Sequence, residues 1–274
     1  MATRQHTVFA LILTATLLVL TLVVPSARAN RARDILDRRQ ALDDGPRRWD
    51  DREQRIDLEI VGSRGSARHR TLSVYERRLP DDERQTIIFF EEPSEVEGTG
   101  FLSLSHPGKA AEQWLYLPAY GRVRQITAQT RTQSFVGTDL THQDLDILQE
   151  MPSWSEADAS SELVRDDAVD DEAVHVIALT PRREDIGYDR LVLWLRAEDL
   201  VMRRLEFFDE GPDPVKRVEQ RDIKMEGKIP VAHTLEIERP QRGSRTVMTV
   251  RSVTFDQKLE DDLFTQRALE RGER

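Results

Sequence analysis

The side chains that could carry covalent chemistry are few, and their spacing gathers none of them into a catalytic set. No cysteine occurs among the 274 residues. That excludes a disulfide framework, a Cys-based zinc or iron–sulfur site, a thiol nucleophile and a lipid anchor on an N-terminal cysteine. No Gly-x-Ser-x-Gly turn presents a serine nucleophile. A phosphate-binding glycine loop, a dinucleotide fingerprint and a His-Glu-x-x-His pair are missing as well. Five histidines lie beyond residue 29, namely His69, His106, His142, His175 and His233, and none has another histidine three to five positions away. His142 between Asp139 and Asp144 invites a metal reading, but surface and capping residues at a helix start explain the same cluster. The acidic run Asp166–Glu172 lacks the glycine and ligand spacing of a calcium loop. Glu91 and Glu92 would point to opposite faces of a strand, a poor geometry for acid–base work on one substrate. The reading is therefore not an enzyme, and no cofactor is called for.

Forty Lys and Arg stand against fifty Asp and Glu, a net charge of −10. Such a balance disfavours nucleic acid, whose phosphates require a cationic surface. The first 29 residues have the layout of a secretory signal peptide. Arg4 precedes an apolar run from Val8 to Val24, Pro25 breaks it, and Ala27 and Ala29 occupy the positions a signal peptidase reads. The run, at about 17 residues, is near the short limit for a spanning helix, so a retained anchor is the competing reading. Cleavage after Ala29 would remove two arginines and take the charge from −10 to −12. The expectation is a soluble periplasmic protein, with residues 1–29 as signal peptide and 30–274 as a single binding domain.

The elements that must position any site are mostly strands. Asn30 to Leu42 reads as a short helix closed by Asp43-Asp44-Gly45-Pro46. From there the apolar period shifts from about 3.6 to 2. Ile56, Leu58 and Ile60 alternate with charges, Leu72 and Val74 with polar residues, and Ile87-Ile88-Phe89-Phe90 is apolar on both faces. Trp114–Leu117 follows, and a second helix is predicted over Thr141 to Glu150, with Thr141 and Asp144 as a capping box. Residues 155–172 read mainly as surface turns, with room for one short strand from Glu162 to Arg165. Further strands are predicted at Val174–Leu179, Tyr188–Arg196, Val201–Phe208, Val215–Met225, Val231–Glu238 and Thr246–Phe255. Many strands with two helices predict a strongly curved antiparallel sheet, an incomplete barrel, with short helices over its concave side.

The middle of the chain carries a more specific succession. Phe90-Glu91-Glu92-Pro93 is followed by Gly98-Thr99-Gly100-Phe101-Leu102, Trp114-Leu115-Tyr116-Leu117-Pro118, Arg122-Val123-Arg124-Gln125-Ile126 and Ser134–Leu145. This succession, over about residues 85–150, resembles the outer membrane lipoprotein-sorting protein family, relatives of the periplasmic carrier LolA. Val136 stands where that family usually has Met, and His142 near where it has an aromatic. The resemblance implies an incomplete β-barrel (LolA/LolB-like) with helices across its open side, and a hydrophobic cavity that binds lipid or lipoprotein acyl chains. It also implies companionship with a membrane transporter of the resistance–nodulation–division type. Candidate lining residues are Phe89, Leu102, Trp114, Tyr116, Leu191, Leu193 and Phe207, with Phe135 and Leu145 on the covering loop and helix. Thr138, Asp139 and Arg122 are candidates for a partner-facing surface. A carrier handing acyl chains towards the outer membrane is one reading; an accessory module of the transporter without cargo of its own is the other.

Overall fold

The computed structural model describes residues 27–272. The apolar run Val8–Val24 and Pro25 lie outside them, whereas Ala27 and Ala29 stand in the first turn of helix α1 (Ala27–Asp44). Its buried Ala32 and Ile35 and half-buried Leu36 and Leu42 pack into the main core. Thirteen strands then form one antiparallel sheet. The first six are β1 (Asp51–Val61), β2 (Ala67–Arg78), β3 (Arg84–Glu92), β4 (Gly100–Ser105), β5 (Glu112–Leu117) and β6 (Arg122–Gln125). Helix α2 (His142–Glu150) follows. The chain continues through β7 (Ala159–Val169), β8 (Glu172–Pro181), β9 (Arg190–Arg196), β10 (Met202–Phe208), β11 (Lys216–Glu226), β12 (Ile229–Arg239) and β13 (Ser244–Phe255), and reaches helix α3 (Gln266–Arg271).

The sheet order is β6-β5-β4-β3-β2-β1-β13-β12-β11-β10-β9-β8-β7. Two meanders are thus zipped together at a β1–β13 seam. The two sheet edges, β6 and β7, are consecutive in sequence, so residues 126–158, α2 among them, cross from one edge to the other. This layout demands curvature. Asp146 of α2 is bonded to Gln113 on β5, while Asp144, two residues earlier, is bonded to Lys216 on β11. Those strands are seven spacings apart in the order, roughly 34 Å in a flat sheet, whereas α2 is about 13 Å long. The sheet therefore wraps around α2. Register shifts at Arg55/Ile56, Thr71/Leu72, Leu163/Arg165 and Met202/Arg204 mark β-bulges, which bend and twist strands locally. The incomplete barrel expected from the strand pattern is the observed architecture.

Two expectations need correction. The acidic stretch Asp166–Glu172 is not a run of surface turns: it is the tip of the β7–β8 hairpin, with Asp170 and Asp171 at positive φ in the turn. The charges misled because β7 is an edge strand, where exposed charge protects against edge-to-edge pairing. A third helix, α3, is also present. Thr265 caps it by accepting from the Ala268 amide at 3.2 Å.

Candidate functional site

Alternation along β3–β5 sends side chains to two faces with different covers. Ile88, Phe90 and Phe101 face α2 and its approach loop, and form one apolar cluster with Leu58, Leu72, Val74 and Phe135. A larger cluster on the same inner face gathers Leu191, Leu193, Leu205, Phe207, Val218 and Ile237 from β9–β12, with Ile147 of α2 and Ile35 of α1. Leu145 of α2 and Met248 of β13 touch both clusters, so the two clusters meet across the join between the meanders. On the opposite face Ile87, Phe89, Leu102 and Trp114 pack beneath Phe264, Ala268 and Leu269 of the α3 region, with Tyr116 beside them. The nine lining candidates thus divide. Leu191, Leu193, Phe207, Phe135 and Leu145 belong to the inner face, and Phe89, Leu102, Trp114 and Tyr116 to the face under α3.

The inner cover is unusual in its chemistry. Of the six α2 residues that are buried, only Ile147 is apolar; the others are His142, Gln143, Asp144, Asp146 and Glu150. All of these but His142 are matched by a partner on the surrounding sheet or loops, because a buried charge survives only when paired and hydrogen-bonded. Asp144, fully buried, closes a capping box with Thr141, pairs with Lys216 and accepts from the Tyr188 hydroxyl at 2.7 Å. Burial pushes the Lys216 ammonium below its usual range and, with Asp144 beside it, the Tyr188 hydroxyl above its own. Asp146 pairs with Arg131 and accepts from Gln113 Nε2 at 2.5 Å. Its burial outweighs those partners and raises its carboxyl to about 7. Glu150 accepts from Arg183 at 2.9 Å and from Ser105 at 3.3 Å. Gln149 reaches Thr86 at 3.0 Å.

His142 is not a surface residue. It is 3% exposed, its ring lies 5.7 Å from both Phe101 and Phe135, and its Nδ1 has no hydrogen-bond partner. Burial and the Arg131 charge lower it to about 4, which keeps it neutral. Thr138 and Asp139 are likewise buried rather than partner-facing: Asp139 accepts from Ser244 at 2.6 Å and Thr246 at 2.8 Å, fastening the approach loop to β13. The tip of that loop is strained. Val136 has φ +45°, a region that β-branched residues avoid, and Arg70 bonds its carbonyl. Among the described residues, no group of three or more His, Cys, Asp or Glu is placed to hold a metal. No helix among them is long and apolar enough to cross a membrane.

Beside the first residue of α2 the inner face opens to solvent. A recess of ≈ 370 Å³ is lined by Leu115, Leu117, Tyr120, Ile126, Val136 and His142, among others, with Arg122 and Arg124 at its rim. Its volume falls in the range of small-molecule sites, roughly 300–1,000 Å³. Leu115 and Val136 also pack against the inner apolar cluster, so the recess leads directly to it. No local signal in the sequence marks this recess, because period two separates the faces of β5 without saying which one α2 covers.

A family model described only as an uncharacterized protein matches residues 82–271. No curated protein matches the sequence. Among solved structures, the chain is similar to an outer membrane lipoprotein-sorting protein domain from Vibrio parahaemolyticus. Identity there is 25% and the TM-score 0.79, over 88% of this chain and 99% of that one. A DUF1329 family protein from Desulfovibrio piger is similar at 24% identity and TM-score 0.80, covering 89% and 100% of the two chains. A LolA superfamily protein from Nitrosomonas europaea shares the fold at 16% identity and TM-score 0.65, covering 86% and 98%.

Proposed function

This chain belongs to a LolA-like family, and we propose that it is a periplasmic carrier that shelters acyl chains of lipid or lipoprotein on the inner face of its curved sheet. In this proposal residues 1–29 direct export and are removed, and residues 30–274 act as one binding unit. The observation that carries the reading is the inner face itself: two apolar clusters joined on the sheet by Met248 and covered by a helix whose buried residues are mostly polar. The lipoprotein-sorting domain from Vibrio parahaemolyticus lends it support by likeness.

The energetics define what such a carrier must do. At about 0.8 kcal/mol per CH₂, a 14-carbon chain costs on the order of 11 kcal/mol to move from membrane to water. A dry surface must offset most of that, and the same surface must be closed when no cargo is present. Lifting α2 exchanges its hydrogen bonds for bonds to water, a net cost of about 0.5–1.5 kcal/mol for each neutral one. The acyl chain then takes the place of Leu145 and Ile147 against Phe90, Phe101, Leu193 and Phe207. Loading starts at the recess beside Leu115, and no bond-making step is involved.

The test is extraction of the chain, purified from a cell envelope, followed by mass spectrometry. Acyl lipid near one mole per mole is expected. An empty protein that also takes up no acyl chain from vesicles, even as the Lys216→Met variant, overturns the reading.

A further inference from the structure

A second cleft lies at the other end of α2, just past Pro152, and its character is opposite to that of the Leu115 recess. It has a volume of ≈ 200 Å³ and draws its walls from both meanders. Five arginines line it: Arg39 of α1, Arg47 of the following turn, Arg52 of β1, Arg78 of β2 and Arg84 of β3. The carboxylates within reach do not balance them. Glu76 pairs with Arg52, and Asp44 with Arg78. Asp43 stands 3.9 Å from Arg39, the outer limit of an ion pair. Arg47 donates to the Asp199 carbonyl at 2.8 Å, and the Asp199 carboxylate, already paired with Arg196, acts on it only at longer range. Among the described residues Arg84 makes no side-chain ion pair or hydrogen bond, and Glu76 and Asp82 act on it only at longer range. These are not surface charges relaxed by water: the Arg39 and Arg78 side chains are 11% and 6% exposed. Arg52 and Arg78 are further fixed over the Trp49 ring, at 4.8 and 5.8 Å.

Crowded guanidiniums with too few carboxylates are costly unless an anion completes them, and the planar guanidinium fork matches phosphate and carboxylate bidentately. Burial and like-charge neighbours indeed depress the ionisation of both Arg39 and Arg84. Met202 and Leu200 join the cleft wall to the apolar inner cluster. We propose that this cleft is an anion site for a phosphate or carboxylate group, the head of an amphiphile whose tail lies along the inner face. The tail rests on the carrier reading; the anion site does not.

Binding of dodecyl phosphate, dodecanol and inorganic phosphate to the full chain separates the two. Trp49 fluorescence, taken as the difference from a Trp49→Phe variant, reports the cleft. Dodecyl phosphate is expected to bind at least tenfold more tightly than dodecanol, and Arg84→Gln or Arg39→Gln to erase that preference while leaving dodecanol unchanged. Sulfate should compete with the phosphate head on the parent chain, which keeps the test decisive if a variant fails to fold. Dodecyl phosphate binding more tightly than inorganic phosphate assigns the site to a lipid head; equal binding assigns it to a free anion. Dodecanol binding with no phosphate preference and no sulfate competition overturns the anion site and leaves the carrier reading standing. Phosphate binding without either amphiphile does the reverse.

Discussion

Helices α2 and α3 cover opposite faces of the same strands and hold on by opposite means. Beneath α3, Phe89, Leu102 and Trp114 meet Leu269, Ala268 and Phe264, apolar against apolar. The approach is so close that a Cβ at Gly100 would fall 2.9 Å from the Leu269 side chain. Beneath α2, Phe90 and Phe101 are met by a helix whose buried side chains are mostly charged or polar, all but His142 hydrogen-bonded to the sheet or its loops. Lifting α3 would expose apolar surface on both partners, and the hydrophobic effect opposes that along the whole contact. Lifting α2 exposes apolar surface mainly on the sheet and returns the helix to water it can bond with. In the proposed carrier the first cover is a permanent wall, and the second is exchanged for an acyl chain.

The largest effect expected from breaking this contrast comes from Lys216→Met. It strands the Asp144 carboxylate in the core, at a cost of about 3–5 kcal/mol. Urea unfolding should show that loss, and acyl uptake or binding of a hydrophobic dye should rise as α2 leaves its seat. Leu269→Ala should cost about 2–5 kcal/mol by cavity formation, with acyl uptake unchanged. Equal uptake in the two variants would erase the distinction between the covers.

A smaller effect separates the groups within α2 by pH. Asp146, raised to about 7 from 3.8, favours the folded state most fully below pH 4, and that contribution is lost as pH rises to about 7. His142, lowered to about 4 from 6.5, contributes fully above pH 6.5 and loses its contribution as pH falls towards 4. Relative to the parent, Asp146→Asn should therefore gain stability as pH climbs from 4 to 7. His142→Asn should gain as pH drops from 6.5 to 4. Urea midpoints across that range check both slopes. Val136→Gly should give the smallest change: releasing a positive-φ residue returns about 1–2 kcal/mol and offsets the packing lost, so its urea midpoint should stay close to the parent's.

Much of the sheet was legible because strand periodicity is local. The alternation over Val231–Glu238 and Thr246–Phe255 places β12 and β13 within two residues of their observed ends. The capping box at Thr141 and Asp144 marks the start of α2 correctly. What the sequence conceals is sidedness and long-range pairing. Ile87-Ile88-Phe89-Phe90 declares two covered faces without saying which cover each receives. Lys216 lies 72 positions from Asp144, and nothing near either residue signals the pair. The same holds for the arginine cleft, whose charges arrive from α1, the turn after it and three strands. His142 reads as a capping neighbour because local spacing carries no information about Phe101 and Phe135 closing over it.

The seam between β1 and β13 has a consequence for assembly. Asp50 donates its amide to Asp256, 206 positions further on, so the central join waits for the last strand to be delivered. Until then each meander carries a raw inner edge, β1 on one and β12 on the other, able to recruit any extended chain nearby. Closing so distant a contact is slow. The newly made polypeptide therefore passes through an interval in which its own unfinished halves, or those of its neighbours, compete for the same hydrogen bonds.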